Sequence, residues 1–132
     1  MADASRRRLV RQRAGGRCEY CQLPQHAVDL AFHIEHIVAR QHGGADDSEN
    51  LALSCDRCNL NKGPNLTAID PVTRQIIPLF HPRRDAWSEH FDLAGAEIGG
   101  KTPTGRATVK LLRMNSTRRR ELRERMAAEQ KS

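Results

Sequence analysis

Hydrophobic and polar positions alternate most clearly over residues 29–38, DLAFHIEHIV. That period of two predicts a strand with Leu30, Phe32 and Ile34 on one side and His33 and Glu35 on the other. Strict alternation would carry His36 onto the apolar side, so the strand must end or twist there. Residues 40–49 form a polar loop, with Gly43-Gly44 supplying backbone freedom. Residues 50–54, NLALS, read as a second strand. Residues 55–62 read as a short helix, stopped by Gly63-Pro64.

The flanks follow other patterns. Ser5 is placed to cap a helix through RRRLVRQRA, with Leu9 and Val10 as a small apolar side and Gly15-Gly16 as its end. Residues 17–21, RCEYC, make a tight knuckle. Residues 69–77 predict a hairpin around a proline-containing turn, and residues 78–85 are irregular and basic. Trp87, His90 and Phe91 suit packing, on a short helix leading into a strand that reaches Ile98. Thr102-Pro103 opens a helix with a cap and then proline. Its Val109, Leu111, Leu112 and Met114 can pack inward. A last helix from about Ser116 carries Leu122 and Met126 among charges.

Composition narrows the class. With 132 residues, 38% hydrophobic and 29% charged, the chain predicts one domain with arms and a modest core. Small domains of this kind often add a metal or disulfide. Net charge is +6 and the pI is about 9.7, which suits an acidic polymer as partner. Residues 1–17 hold six Arg against Asp3, a net of +5, and residues 112–132 have a net of +4, leaving −3 for the middle. The ends therefore read as DNA-backbone clamps. For the C-terminal segment, where Glu121, Glu124 and Glu129 intersperse the Arg, a solvated helix face is an equal alternative. No apolar run approaches membrane-spanning length, and the start lacks an apolar signal core. A cytoplasmic location, with reduced thiols, is the expectation. Aromatic content of 4% gives little support to a base-stacking platform.

Two Cys-x-x-Cys pairs, Cys18/Cys21 and Cys55/Cys58, have the spacing of a four-thiolate structural zinc site. Disulfides and free thiols are the alternatives. Four thiolates leave no open position for water, so such a Zn²⁺ would be structural.

The stretch 32–63, FHIEHIVARQHGGADDSENLALSCDRCNLNKG, combines Glu35-His36, a Gly-Gly loop, Glu49-Asn50-Leu51, Cys55-x-x-Cys58-Asn59 and Lys62-Gly63. Together with the upstream knuckle it resembles the HNH endonuclease family. The resemblance implies an α+β protein with a ββα-metal (His-Me finger) hairpin core stapled by the four-cysteine zinc site and bearing helical N- and C-terminal extensions. It implies a metal-dependent endonuclease that hydrolyses phosphodiester bonds in DNA. His36 matches the family's general base, and Glu35 matches its metal-binding acid. Asn50 matches the middle residue that braces the loop, and Asn59 falls where the second metal ligand stands. Asparagine in place of the usual histidine there is a known variant, and it favours Mg²⁺ or another oxygen-loving divalent cation. Residues 1–17 become a basic N-terminal helix, 18–65 the nuclease core with its zinc knuckles, and 66–132 a hairpin and helical extension packed on the core. PLFHPRRD and GRATV resemble the continuation in small stand-alone bacterial members, without implying residue roles.

Double-stranded DNA is the expected partner, with RNA still open, and neither a membrane nor a small-molecule cofactor is expected. The rival class is a non-catalytic zinc-stabilised nucleic-acid-binding module, which has no need of Glu35, His36 and Asn59 together. A toxin-like effector nuclease would differ in biology alone. Lys62 could touch a phosphate or favour the helix C-terminus. His33 could sit near the metal or on the strand surface. His42 is expected to be exposed, and His81 and His90 to be structural.

Overall fold

The computed structural model describes residues 4–131; residues 1–3, including Asp3 of the N-terminal charge, and Ser132 lie outside it. The fold is α+β. Among the described residues the strands form three separate two-stranded antiparallel sheets, set among helices. Helix α1 (Ala4–Arg13) leads to the first cysteine knuckle. Strands β1 (His33–His36) and β2 (Leu51–Ser54) pair with Glu35 opposite Ala52 and His36 opposite Leu51. Helix α2 (Asp56–Lys62) follows at once, which completes a ββα unit.

Beyond it, β3 (Thr67–Ile69) and β4 (Ile76–Pro78) form a hairpin. Buried Asp70 stands at its turn and accepts from Arg106 Nε at 2.9 Å and Nη2 at 2.8 Å. That paired contact ties the turn to the later helix and holds the Asp70 carboxyl well below its ordinary range. Helix α3 (Trp87–His90) precedes a third hairpin, β5 (Phe91–Ala94) and β6 (Glu97–Gly100). Helices α4 (Pro103–Leu112) and α5 (Thr117–Lys131) complete the described chain. Thr102 caps α4 by accepting from the Gly105 amide, with Pro103 in the first turn. No helix among the described residues is long and apolar enough to cross a membrane.

One apolar cluster runs through both halves. It joins Val10, Tyr20, Leu23, Phe32, Ile37, Leu51 and Leu53 to Phe80, Phe91, Ile98, Leu112, Met114 and Leu122. Phe80 meets Tyr20 and Phe91 edge-on, with ring centroids 6.4 and 5.1 Å apart. The Trp87 indole donates to the Tyr20 carbonyl at 2.8 Å, and the Asn61 amide donates to the Leu112 carbonyl at 3.0 Å. The C-terminal elements thereby fix the back of α2 and of the knuckle. His81 and His90 serve this packing: His81 Nδ1 accepts from the Arg83 amide, and His90 Nδ1 pairs with Thr102 Oγ1 at 2.6 Å.

The structure revises several local expectations. Ser5 lies inside α1, which already includes Ala4, so it is not the cap. The first strand is four residues long, and Leu30 is exposed. Within it Glu35 is buried while Ile34 is only half-buried. Only at Glu35 does the supposed polar side face inward, because Tyr20 and Lys62 at the C-terminal end of α2 lie against it; His33 on the same side stays exposed. Asn50 ends a 3-10 turn before β2 begins. Cys55 is the N-cap of α2. The single strand expected to reach Ile98 is two strands joined by a turn at Gly95, whose φ of 62° is in the left-handed region.

Candidate active site and cysteine cluster

The loop between β1 and β2 is clamped at its base by the Asn50 side chain. Asn50 Oδ1 accepts from the Val38 amide at 2.9 Å, and its Nδ2 donates to the carbonyls of Val38 at 2.9 Å and Ala45 at 2.8 Å. The Asn50 carbonyl also accepts from the Ile37 amide. The backbone just after His36 is therefore clamped from two directions. Gly44 makes the clamp possible. A Cβ at that position would lie 1.7 Å from the Val38 carbonyl oxygen, closer than any side chain allows.

Below this loop an open cleft of about 480 Å³ is lined by Glu35, His36, Ala39, Arg40, Gln41, Asn59, Gly63 and Pro64. Three of the four residues singled out from the sequence, Glu35, His36 and Asn59, share this cleft. The fourth, Asn50, stands behind it as the brace. His33 is exposed and does not line the cleft, and His42 is exposed.

Glu35 is the buried acid of the cleft, and its Oε1 has no hydrogen-bond partner among the described residues. Burial raises its carboxyl to about 7, opposed by the Lys62 ammonium and the nearby Tyr20 hydroxyl. The Lys62 Nζ lies 3.9 Å from Glu35 Oε2 and donates to the Ile37 carbonyl at 2.8 Å. Lys62 is itself only 2% exposed. It neither reaches toward a phosphate nor caps the helix end; it is a buried counter-charge. The orphaned Oε1 and the Asn59 amide oxygen form a small, hard oxygen donor set, which fits a divalent cation that keeps several waters. A cation there would return Glu35 to its ionised form.

His36 reaches the other way, toward the rim. Its Nε2 lies 2.7 Å from Asp46 Oδ1, and Arg40 Nε shares that oxygen at 2.9 Å. These two contacts lower the Asp46 carboxyl to about 2. Its added stability is present above the ordinary Asp range and is lost as pH falls through that lower value. Sequence reasoning passed over Asp46. It is one of two adjacent acids in a polar loop, and nothing in its spacing points back across ten residues to His36.

The four cysteines converge. All are buried free thiols, and their sulfurs lie within 4.8 Å of one another. Cys21 and Cys55 sulfurs are 3.7 Å apart, close to the edge of about 3.8 Å that Zn–S bonds of about 2.3 Å give a tetrahedron. The Cys21 amide donates to Cys18 Sγ at 3.5 Å and the Cys58 amide to Cys55 Sγ at 3.4 Å, so each knuckle turns an N–H onto a sulfur. The cluster is compatible with zinc. Cys55 is held far below the ordinary thiol range by hydrogen bonds from the other three, with Arg119 adding to the effect, while burial pushes Cys18 up. Arg119, 5% exposed, bridges to Asp56 Oδ1 at 3.5 Å, and Arg123 donates to the Ala96 and Met114 carbonyls. These two arginines of the C-terminal segment serve the fold. The knuckle is also tied to β2 directly: the Glu19 amide donates to the Leu53 carbonyl at 2.8 Å, its carboxylate accepts from the Leu53 amide, and Arg83 pairs with that carboxylate.

Residues 18–65 match the family described as HNH endonuclease. The matched segment covers both knuckles, the β1–β2 hairpin, the Asn50 brace and α2, so over this segment the chain is similar to HNH endonucleases. No curated protein and no solved structure matches the chain.

Proposed function

We propose that the protein is a metal-dependent endonuclease hydrolysing phosphodiester bonds in DNA. The observation that carries this reading is the shared cleft of Glu35, His36 and Asn59 within the HNH segment. Glu35 and Asn59 would hold Mg²⁺ or another divalent cation. When bound, that cation would stabilise charge on the phosphate and on the departing 3′ oxygen. His36 takes the proton of the attacking water, since a neutral imidazole is the base available near neutral pH. Asn50 keeps the backbone around His36 in place. A 5′ phosphate is the expected product. The four-cysteine cluster, filled with Zn²⁺, anchors the β2–α2 junction to the knuckle and takes no part in chemistry.

The test is nicking of supercoiled plasmid by purified protein. Cleavage with Mg²⁺ and none with EDTA is the expected pair of results. DNA binding without cleavage at any divalent metal would leave the rival reading, a zinc-stabilised binding module, in possession.

The basic ends divide into two groups. Arg13 donates to the carbonyls of Ser48 and Leu51, and Arg6 donates to the Asp46 carbonyl at 2.8 Å. Both serve the hairpin loop. Arg7, Arg8 and Arg11 are exposed on α1. Replacing those three with Gln is expected to weaken binding to all DNA sequences alike. The slope of log affinity against log salt should then fall by about 0.9 per lost contact. An unchanged slope would return them to ordinary surface. Arg13→Gln should instead lower the melting temperature.

A further inference from the structure

We propose that Asp46 is the positioning residue of His36. Its carboxylate holds Nε2 as the N–H nitrogen and fixes the ring so that Nδ1 is the nitrogen that takes the proton from water. This rests on the reading of His36 as the base.

The geometry is specific. A carboxylate is an acceptor, so across the 2.7 Å contact the hydrogen sits on Nε2. In a neutral ring the lone pair is then on Nδ1. On attack, water loses a proton to Nδ1, its oxygen bonds to phosphorus, the bond from phosphorus to the 3′ oxygen breaks, and that oxygen leaves to take a proton from solvent, while the Nε2–H keeps its hydrogen bond to Asp46. An exposed ion pair alone would carry little weight. Asp46 differs because contacts to its side chain, its backbone and the residue before it set its place. Arg40 Nε holds the same Oδ1, and Arg6 holds its backbone carbonyl. Asn50 Nδ2 holds the carbonyl of the preceding residue, Ala45, while the Gly44 approach locks the turn before it. Asn50 thus reaches the His36 ring by way of the loop that carries Asp46. The brace and the base are parts of one device, and Asp46 is the link between them.

The experiment uses the full chain as wild type, Asp46→Asn, Asp46→Glu and Asp46→Ser. Three measurements are made: nicking rate at saturating DNA and Mg²⁺, zinc content with melting temperature, and two-bond ¹H–¹⁵N NMR of the His36 ring, assigned with His36→Gln. Wild type should show the proton on Nε2. Asp46→Asn can turn its NH₂ toward Nε2 and move the ring proton to Nδ1. Its turnover should fall by about tenfold to a hundredfold, with zinc content, KM for DNA and Mg²⁺ requirement unchanged. Asp46→Ser should fall comparably, and Asp46→Glu should recover most of the rate. Turnover of Asp46→Asn and Asp46→Ser within twofold of wild type overturns the proposal while leaving the nuclease reading intact, and so does a wild-type ring protonated on Nδ1. A wild type that never cuts overturns the nuclease reading and the positioning role with it. A variant that loses zinc is set aside in favour of the other, since Asp46 is half-exposed at the rim and its replacements differ in size.

Discussion

His36→Ala is expected to slow nicking of supercoiled DNA by about a hundredfold to ten-thousandfold, the usual cost of removing a general base. Zinc content, melting temperature and DNA affinity should stay near wild type. The fold has little stake in this side chain. Among the described residues its side chain's polar contact is with Asp46 at the exposed rim, and the loop keeps its Asn50 clamp without it. Glu35 differs. Replacing it with Ala would strip the buried Lys62 ammonium of its counter-charge and leave it only the Ile37 carbonyl. Glu35→Gln also removes the charge but keeps the volume and an oxygen able to accept from Lys62, so it is the better probe of the metal, and it should raise the Mg²⁺ concentration needed for half-maximal cutting. All three proteins are to be compared over one Mg²⁺ series. Cutting by His36→Ala at the wild-type rate would remove His36 as the base.

Cys55→Ser should have the largest effect on the fold. The protein purified without added metal should carry about one Zn²⁺ per chain, and the variant should lose it together with solubility and most of its thermal stability. Structural zinc is worth on the order of 10–16 kcal/mol in zinc-finger peptides. The apolar core here makes the loss smaller than in a peptide with no other core. Cys55 is the pivotal member because it does two things at once. It follows directly on β2 and caps α2, with its sulfur accepting from the Cys58 amide, and it faces Cys21 across 3.7 Å. Its loss therefore frees the start of α2, the helix that carries Asn59 into the cleft. Elemental analysis and a thermal melt decide the matter. Less than half an equivalent of zinc in well-folded wild type would dismiss the metal.

Local and covalent-spacing signals were the ones readable along the chain. The Cys-x-x-Cys pairs announced their cluster because two thiols three apart can share one centre in almost any tight turn, and two such pairs converge readily. Thr102-Pro103 announced α4 because cap and proline act within one turn. Strand length was less legible. The alternation over 29–38 continues past the point where a partner strand exists, so only His33–His36 is paired. Leu30, apolar by type, is left exposed for the same reason.

Burial and partnership came only from the folded chain. Glu35 read as a polar strand residue. Its position under Tyr20 and beside Lys62 makes it a buried acid, raised to about 7. Lys62 read as a cation that could touch a phosphate or favour the helix C-terminus, yet it is buried against Glu35 and Ile37, which lie far from it in sequence. Arg6 and Arg13 looked like free members of a basic arm until α1 was seen to lie against the β1–β2 loop. Asp46 had no signal at all, because its partner is chosen by how a ten-residue loop folds back. The sequence by itself determined the ββα order, the cysteine spacing and the residue types that line the cleft, since these depend on residue type and short-range geometry. Tertiary structure alone decided which charges are buried and which are paired, because desolvation and Coulomb terms depend on neighbours brought together by packing.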